Sequence, residues 1–355
     1  MDVGVCIAAK IDEVGIVPFA ENLGYSHAWV ADSQMIWSDC YAYLALAAER
    51  TRTINIGTGV SVVGTRTAPV TAHSIATINR LAPGRTFLGL GSGNTAQRIM
   101  GRRPIRFSEY EDYTRVVTGL LRGEQVEVTD KGESRPIEFL MPKLGYIDIE
   151  HPIPIHVSGF YSRTYQLAGK YGDGLVCSIP PRRDFVTRAL RHVAGGADAV
   201  GRTLPENFYL TSLTAATILE PGEDLTSERV IREVGPFAIS SVHYIYDKLK
   251  ENGGEPPPHM RPFWKEYCAL VEQTPARARH LRVHAGHCTY LLPEESKFVT
   301  PELIRSTCLA GTADEVLEQV RELAEAGLHQ IMLLPSLESQ YRSIQDFSTK
   351  VMARL

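Results

Sequence analysis

A closed α/β barrel of the (β/α)8 or TIM type is the architecture this chain predicts, and three observations carry it. Eight short apolar segments recur along its 355 residues, beginning near positions 3, 27, 54, 86, 154, 174, 208 and 330. Stretches with helical spacing lie between them, the rhythm of parallel strands joined by crossover helices. The segments also stop in small or polar residues, as strand ends facing a ligand do. The chain therefore reads as a single barrel domain over 1–355, with residues 220–308 a helical insertion covering the active-site face. A doubly wound open sheet is the structural alternative.

The elements follow in order. Val3–Ala8 is a strand, and Asp12–Leu23 a helix stopped by Gly24. His27–Val30 is a strand ending in Ala31-Asp32-Ser33, and Tyr41–Arg50 a helix on Ala and Leu spacing. Residues 54–94 form the clearest unit: strand Ile54–Gly57 ending in Thr58-Gly59-Val60-Ser61, helix Thr67–Leu81, and strand Thr86–Leu90 ending in Gly91-Ser92-Gly93-Asn94. The lack of bulk at both ends lets a flat ring system lie against the backbone. Ser108, three residues before Glu111, has capping-box spacing for a helix that Gly123 ends. Gln125–Met141 alternates with period two around Asp130-Lys131-Gly132, a hairpin. Then come strand Pro154–Val157, helix Ser162–Tyr171, strand Gly174–Ile179, helix Asp184–Val200 and strand Phe208–Leu219. Aromatic-rich helical stretches, Val242–Leu249 and Phe263–Glu272, flank the Gly253–Pro258 loop in the insertion. Helix Thr312–Ala326, strand Gln330–Leu334 and helix Ser339–Arg354 close the pattern.

Composition narrows the function. A hydrophobic content of 44% with 22% charged residues suits a globular enzyme. The net charge of -4 offers nothing to nucleic acid or an anionic membrane, and no apolar run reaches the roughly 18 residues a membrane helix needs. Six cysteines with no C-x-x-C pair suit reduced thiols and a cytoplasmic setting.

In a barrel, chemistry sits where strands run into loops. These ends are Ala8–Lys10, Ala31–Gln34, Thr58–Ser61, Gly91–Asn94, Val157–Phe160, Ser178–Pro180, Leu219–Glu220 and Leu334–Ser336. Only Lys10, Asp32 and Glu220 among them ionise, and on separate strands, which speaks against a metal cluster or a Schiff-base lysine. A slot lined by Gly, Ser, Thr and Val favours chemistry carried by a cofactor. The run Gly89-Leu90-Gly91-Ser92-Gly93 lacks the third glycine of a dinucleotide fingerprint. His280, His284 and His287 have ligand spacing on a helix, but no acidic partner lies close in sequence, so no metal is expected. Arg98, Arg102, Arg103 and Arg106 form either a solvated basic loop or a clamp for an anionic tail.

Four stretches carry a family resemblance: LGYSHAWVADSQ (Leu23–Gln34), INIGTGVS with TAHSIATINRLAPGRTFLGLGSGN, PIHVSGFYSRTYQLAGKYGDGLV (Pro154–Val176) and LAGTADEVLEQVRELAEAGLHQIMLL (Leu309–Leu334). In order and spacing the chain resembles the bacterial-luciferase-like superfamily, in particular the deazaflavin branch that includes methylene-tetrahydromethanopterin reductase. The resemblance implies a luciferase-like TIM barrel acting as an oxidoreductase with coenzyme F420, the 8-hydroxy-5-deazaflavin, that passes hydride to or from a small organic substrate. An FMN-dependent monooxygenase is the alternative, and a flavin-binding barrel without catalysis a third reading. It also implies a homodimer.

Residue by residue, the resemblance implies a bulge with a non-prolyl cis peptide at Gly59-Val60, beside Ser61, backing the ring. It places Asp32 near the ring and Gly91, Ser92, Gly93 and Asn94 along the ring or its side chain. Val157, Ser158, Gly159 and Phe160, with Tyr161, Ser162 and Arg163, would receive the cofactor phosphate at a helix N-terminus. Gly59→Leu is then expected to weaken cofactor binding while the barrel still folds. Deazaflavin members often carry histidine after this aspartate; here Ser33 and Gln34 follow, poor acids at neutral pH. Asp32, Ser33 and His287 are the catalytic candidates, with His73 and His284 as further proton donors. Tyr244, Tyr246, Phe263, Trp264 and Tyr267 are candidates for an aromatic pocket wall or for helix core.

Overall fold

A computed structural model describes residues 1–177 and 182–355. The strands are β1 (Asp2–Ile7), β2 (His27–Val30), β3 (Asn55–Val62), β4 (Thr86–Gly91), β5 (Val126–Asp130), β6 (Glu133–Ile137), β7 (Ile155–Ser158), β8 (Gly174–Cys177), β9 (Tyr209–Thr214), β10 (Ala216–Ile218), β11 (Leu309–Gly311) and β12 (Gln330–Leu333). Eight of them close a parallel barrel in the order β1-β2-β3-β4-β7-β8-β9-β12. The last expected residues of the sixth barrel strand, and its end Ser178–Pro180, lie outside the described residues. The open-sheet alternative is excluded, because β12 pairs with β1 and closes the circle.

The helices are α1 (Ile16–Asn22), α2 (Cys40–Arg50), α3 (Ala68–Leu81), α4 (Asn94–Ile99), α5 (Phe107–Leu121), α6 (Ser162–Tyr171), α7 (Arg183–Asp198), α8 (Glu228–Asn252), α9 (Arg261–Glu272), α10 (Arg279–Val283), α11 (Pro301–Thr307), α12 (Ala313–Glu325) and α13 (Gln340–Lys350). β5 and β6 form the antiparallel hairpin. Its turn residues Lys131 and Gly132 both have positive φ, 51° and 86°, as a type I′ turn demands.

Several expected boundaries move for local reasons. The expected helix Asp12–Leu23 is a single 3-10 turn, Ile11–Glu13, followed by α1. Ser108 does not cap α5; the Glu109 carboxylate accepts from the Arg106 backbone N–H at 3.0 Å, so the helix starts earlier. The expected strand Phe208–Leu219 divides at Ala215, because β10 leaves the barrel to pair with β11 across the insertion. α4 was not expected, and Gly93, at φ 67°, supplies the left-handed turn that starts it.

Strand alternation builds two apolar layers. Val5, Val30, Ile56, Leu88, Val157 and Leu175 face outward and pack under the helices. Inside the barrel, Trp29 and Phe87 meet with ring centroids 4.3 Å apart, and His156 lies edge-on to Trp29 at 5.2 Å. Trp29 Nε1 donates to Gln330 Oε1 at 2.8 Å, so the buried indole is satisfied. Glycines make room for these rings: a Cβ at Gly57 would lie 2.4 Å from the Phe87 ring, and one at Gly174 2.3 Å from His156 Nδ1. This inner layer continues upward through Cys6, Ala31 and Leu334 into α8, α9 and α11, so segment 220–308 is packed onto the strand-end face of the barrel.

Candidate active site

A cavity of about 1060 Å³ opens between the barrel's strand ends and the 220–308 segment. That is at the upper end of the range for small-molecule sites. Its floor is backbone. β3 shifts register between Thr58 and Ser61, a bulge, and the Gly59-Val60 peptide there is cis. Gly91 completes the floor, where a Cβ would come within 2.5 Å of Val60 Cγ2. The first turn of α6 approaches from one side, and Gly159 lets it: a Cβ there would sit 2.3 Å from Thr164 Cγ2.

Asp32, at the end of β2, is the electrostatic anchor of the floor. Its Oδ2 accepts from Arg66 Nη1 at 2.7 Å and from the Val62 backbone N–H at 3.0 Å, and Gln34 Nε2 donates to its Oδ1 at 2.6 Å. Burial disfavours the Arg66 cation, but the charge and hydrogen bond of Asp32 outweigh that and raise its pKa. Asp32 is thus an ion-paired acceptor, and its carboxylate holds the bulge in place.

The opposite wall is a polar chain. Thr95 Oγ1 lies 3.3 Å from His284 Nδ1 and 3.5 Å from His287 Nδ1. His284 Nε2 lies 3.0 Å from Asp247 Oδ2, which also pairs with Arg98 Nε at 3.1 Å. Burial, followed by the neighbouring His284 and His243, pushes His287 down to about 3. Burial also lowers His284, although Asp247 pulls the other way. Both rings are therefore neutral at pH 7. The Trp37 indole stacks on His287 with centroids 5.6 Å apart.

The sequence profile of the luciferase-like monooxygenase family matches residues 9–330. The chain belongs to this family. Among curated relatives, the chain is 26% identical over 347 residues to the 5,10-methylenetetrahydromethanopterin reductase of Archaeoglobus fulgidus, covering 96% of this chain and 94% of the relative. It is 25% identical over 351 residues to the F420-dependent glucose-6-phosphate dehydrogenase of Amycolatopsis mediterranei, covering 95% and 92%. The solved structure of the coenzyme F420 dependent tetrahydromethanopterin reductase from Methanopyrus kandleri superposes with a TM-score of 0.71 at 19% identity, over 99% of this chain and 98% of that one.

In this luciferase-like barrel most of the candidate residues converge. Asp32, Ser33, Gly59, Val60, Gly91, Ser92, Gly93, Asn94, Ser158, Gly159, Phe160, Ser162 and His287 line the one cavity. Two do not. Val157 points outward into the helix layer, because alternation turns its neighbour His156 inward. Ser61 is buried beneath the bulge, its Oγ 3.0 Å from the Tyr41 hydroxyl. His73 sits exposed on α3 beside Phe139, away from the cavity. Lys10 pairs with Glu13, and Glu220 with Lys350 at 2.9 Å, so neither strand-end charge enters the site. Of the aromatic candidates Tyr244 lines the cavity, whereas Phe263 and Tyr267 pack against Phe298 inside the segment. The arginine cluster also divides. Arg98 lines the cavity but is neutralised by Asp247 and Glu251, and Arg102 donates to the Gly64 carbonyl.

Sequence reasoning missed the cavity-lining Trp37, Thr95, Arg188 and Lys248, and Asp247, which stands behind His284. Asp247 carried a signal: it lies on the same helical stretch as Tyr244, one turn along. Thr95 carried none. Among the described residues no group of three His, Cys, Asp or Glu side chains has metal-binding geometry, and no helix is long and apolar enough to cross a membrane.

Proposed function

We propose that the protein is a deazaflavin-dependent oxidoreductase that uses coenzyme F420 for hydride transfer with a small organic substrate. The observation that carries this reading is the bulged floor at Gly59-Val60 and Gly91, where Val60 alone carries a side chain, beneath a cavity large enough for a tricyclic ring and its tail. The curated relatives support the choice of cofactor, one of them being named F420-dependent across nearly its whole length.

The fit is chemical as well as steric. Gly59, Val60, Gly91 and Ser92 would lie against the flat ring, with Asp32 and Arg66 holding the bulge rigid from behind. Ser158, Gly159, Phe160 and Ser162 would meet the phosphate, where the amides of a ten-residue helix favour an anion. Arg188 and Lys248, on the same side, have no carboxylate within 4 Å among the described residues and would add positive charge. The bound ring supplies hydride chemistry; the protein's share is to orient the substrate, exclude water and manage a proton. Phe237 on α8 would close the substrate side, whereas Tyr244, packed on Phe160 with ring centroids 4.9 Å apart, would stand at the phosphate end.

Titration of purified apoprotein with oxidised F420 and, separately, FMN tests the reading. Micromolar or tighter F420 binding with weaker FMN binding is expected, followed by reversible bleaching of F420 with substrate. Tight FMN binding with oxygen consumption would establish the monooxygenase alternative instead. A homodimer in the cytoplasm is part of the proposal. The exposed apolar run Leu140, Met141, Leu144 and Tyr146 suits burial between copies, and light scattering checks it.

A further inference from the structure

We infer that the substrate is an uncharged molecule with an apolar body and few polar groups, and that carboxylated and phosphorylated compounds are turned away. This inference rests on the deazaflavin reading above and adds the substrate class.

Charge leads there first. Among the described residues three Lys and Arg side chains line the cavity, Arg98, Arg188 and Lys248. Arg98 is held by Asp247 at 3.1 Å and by Glu251 at 2.7 Å. Lys248 lies over the Tyr161 ring at 4.9 Å and Arg188 over the Phe185 ring at 4.4 Å. Tyr161 is the N-cap of α6, so these two cations stand where the cofactor phosphate would sit. The far end of the cavity has none. It is lined by Cys6, Leu213, Phe237, Met260, Cys288 and Leu334. Cys6, Leu213 and Leu334 belong to the ends of β1, β9 and β12, across the closed barrel from β4 and β7.

Nothing else at that end supplies charge. Residues 178–181, outside the described residues, read Ser-Ile-Pro-Pro and bring no cation. Burial pushes the Cys6 thiol up to about 12 and the Cys288 thiol up to about 11, so both are uncharged. Burial pushes His287 down to about 3 and lowers His259 as well, so both rings are neutral at pH 7. A carboxylate or phosphate carried into this end would lose its water and gain no counter-ion.

Hydrogen bonding gives a second, independent reason. Four hydroxyl side chains line the cavity beside these apolar groups, and all four are already engaged. Ser240 Oγ donates to the Phe237 carbonyl at 2.6 Å, and Ser241 Oγ to that of Ala238 at 2.7 Å. On α11, Ser306 Oγ and Thr307 Oγ1 both donate to the Leu303 carbonyl, at 2.8 and 2.7 Å. Each hydroxyl is thus turned back onto its own helix. Trp37 Nε1 donates to Thr289 Oγ1 at 3.0 Å, and the Cys6 thiol faces the Gly59 carbonyl at 3.6 Å. Ser33, with no side-chain hydrogen bond among the described residues, and the neutral His259 and His287 are left to meet a substrate. A sugar would leave most of its hydroxyls unpaired against such a wall, whereas an apolar body with one oxygen would not.

Matched pairs of ligands test this on the F420-loaded protein by calorimetry. 2-Octanone is compared with 7-oxooctanoate, 2-octanol with 7-hydroxyoctanoate, and glucose 6-phosphate serves as the phosphorylated sugar. Each carboxylate is expected to bind about 10²-fold or more weakly than its neutral partner, and glucose 6-phosphate not to bind. The neutral affinities should be the same at about 50 and 500 mM salt, since no ion pair forms. Ser306→Arg, which adds a cation to the apolar end, is expected to narrow the ratio by about tenfold, one ion pair's worth. A carboxylate that binds as tightly as its neutral partner overturns the inference, and so does binding of glucose 6-phosphate or of neither neutral ligand. An unmoved ratio in a folded Ser306→Arg overturns the placement of the substrate at this end. Should the protein take FMN and not F420, the cofactor reading falls, and the same titration of the FMN-loaded form decides the substrate class. Binding of neither cofactor overturns both.

Discussion

Arg66 donates from Nη1 to Asp32 Oδ2 over 2.7 Å and from Nη2 to Asp39 Oδ2 over 2.8 Å. Asp39 in turn caps α2 through the Tyr41 and Ala42 amides. One guanidinium therefore ties the end of β2, the start of α2 and the bulge of β3. Arg66→Met should cost about 3 kcal/mol, because it leaves the Asp32 charge buried and unpaired. The midpoint of urea unfolding reads this directly, and a loss under about 1 kcal/mol would show that Arg66 is dispensable to the scaffold.

Gly59 and Gly91 both floor the cavity, yet their missing side chains face different neighbours. A Cβ at Gly59 would stand 2.6 Å from Trp29 Cβ, in the barrel core. Gly59→Leu is thus expected to destabilise the barrel itself, contrary to the reading from sequence that bulk there would disturb only the cofactor. Even Gly59→Ala should cost about 1–3 kcal/mol. At Gly91 the conflict is with Val60 Cγ2, a side chain at the cavity wall that can give way into the slot. Gly91→Ala should fold and bind F420 roughly tenfold more weakly, about 1.4 kcal/mol; unchanged affinity alongside normal stability would argue that the ring lies elsewhere.

Glu21 makes acid stability a reporter of the loop entering β3. Its Oε1 accepts from the backbone N–H groups of Arg52, Thr53 and Ile54 at 2.9, 2.6 and 2.9 Å. Desolvation opposes the charge, but these hydrogen bonds prevail and lower the pKa from 4.5 to about 2. A group depressed on folding stabilises above its unfolded pKa and loses that contribution as pH falls through the folded value. The Glu21 share, roughly 1–3 kcal/mol, is complete above pH 4.5 and gone below about pH 2. Glu21→Gln should flatten the denaturation midpoint across that window; an unchanged slope would refute the assignment.

Gly169 on α6 and Gly196 on α7 let these helices touch backbone to backbone. An added Cβ would meet the Val193 carbonyl oxygen or the Gln166 carbonyl oxygen, each at 2.0 Å. Alanine gains up to about 1 kcal/mol of helix propensity over glycine. The steric conflict exceeds this, so Gly196→Ala should lower Tm, and a rise in Tm would contradict the close packing. The N-terminus of α6 should shift with it and weaken phosphate-end contacts of the cofactor.

The eight barrel strands, most of their helices and the glycine-floored slot could be read from the chain, because period-two and period-3.6 patterns are local and strand ends are adjacent in sequence to their loops. The resemblance of four short stretches reached as far as the bulge at Gly59-Val60. Position within a strand was harder. Val157 was expected to bind the cofactor with Ser158–Phe160, but only the closed barrel decides that His156 turns in and Val157 out. The aromatic residues of the insertion posed the same problem, since helical spacing does not say whether Tyr244 or Tyr267 faces the cavity.

The amino-acid order by itself determined a parallel barrel, its family and the absence of bulk where strands three and four end. The tertiary structure alone decided how the polar groups pair. Thr95 and His284 stand 189 residues apart in the chain, and Asp32 and Arg66 are separated by 34. Their states of charge and hydrogen bonding depend on a desolvated meeting that no periodicity encodes, because a buried donor or acceptor is defined by whichever partner the fold brings within about 3 Å.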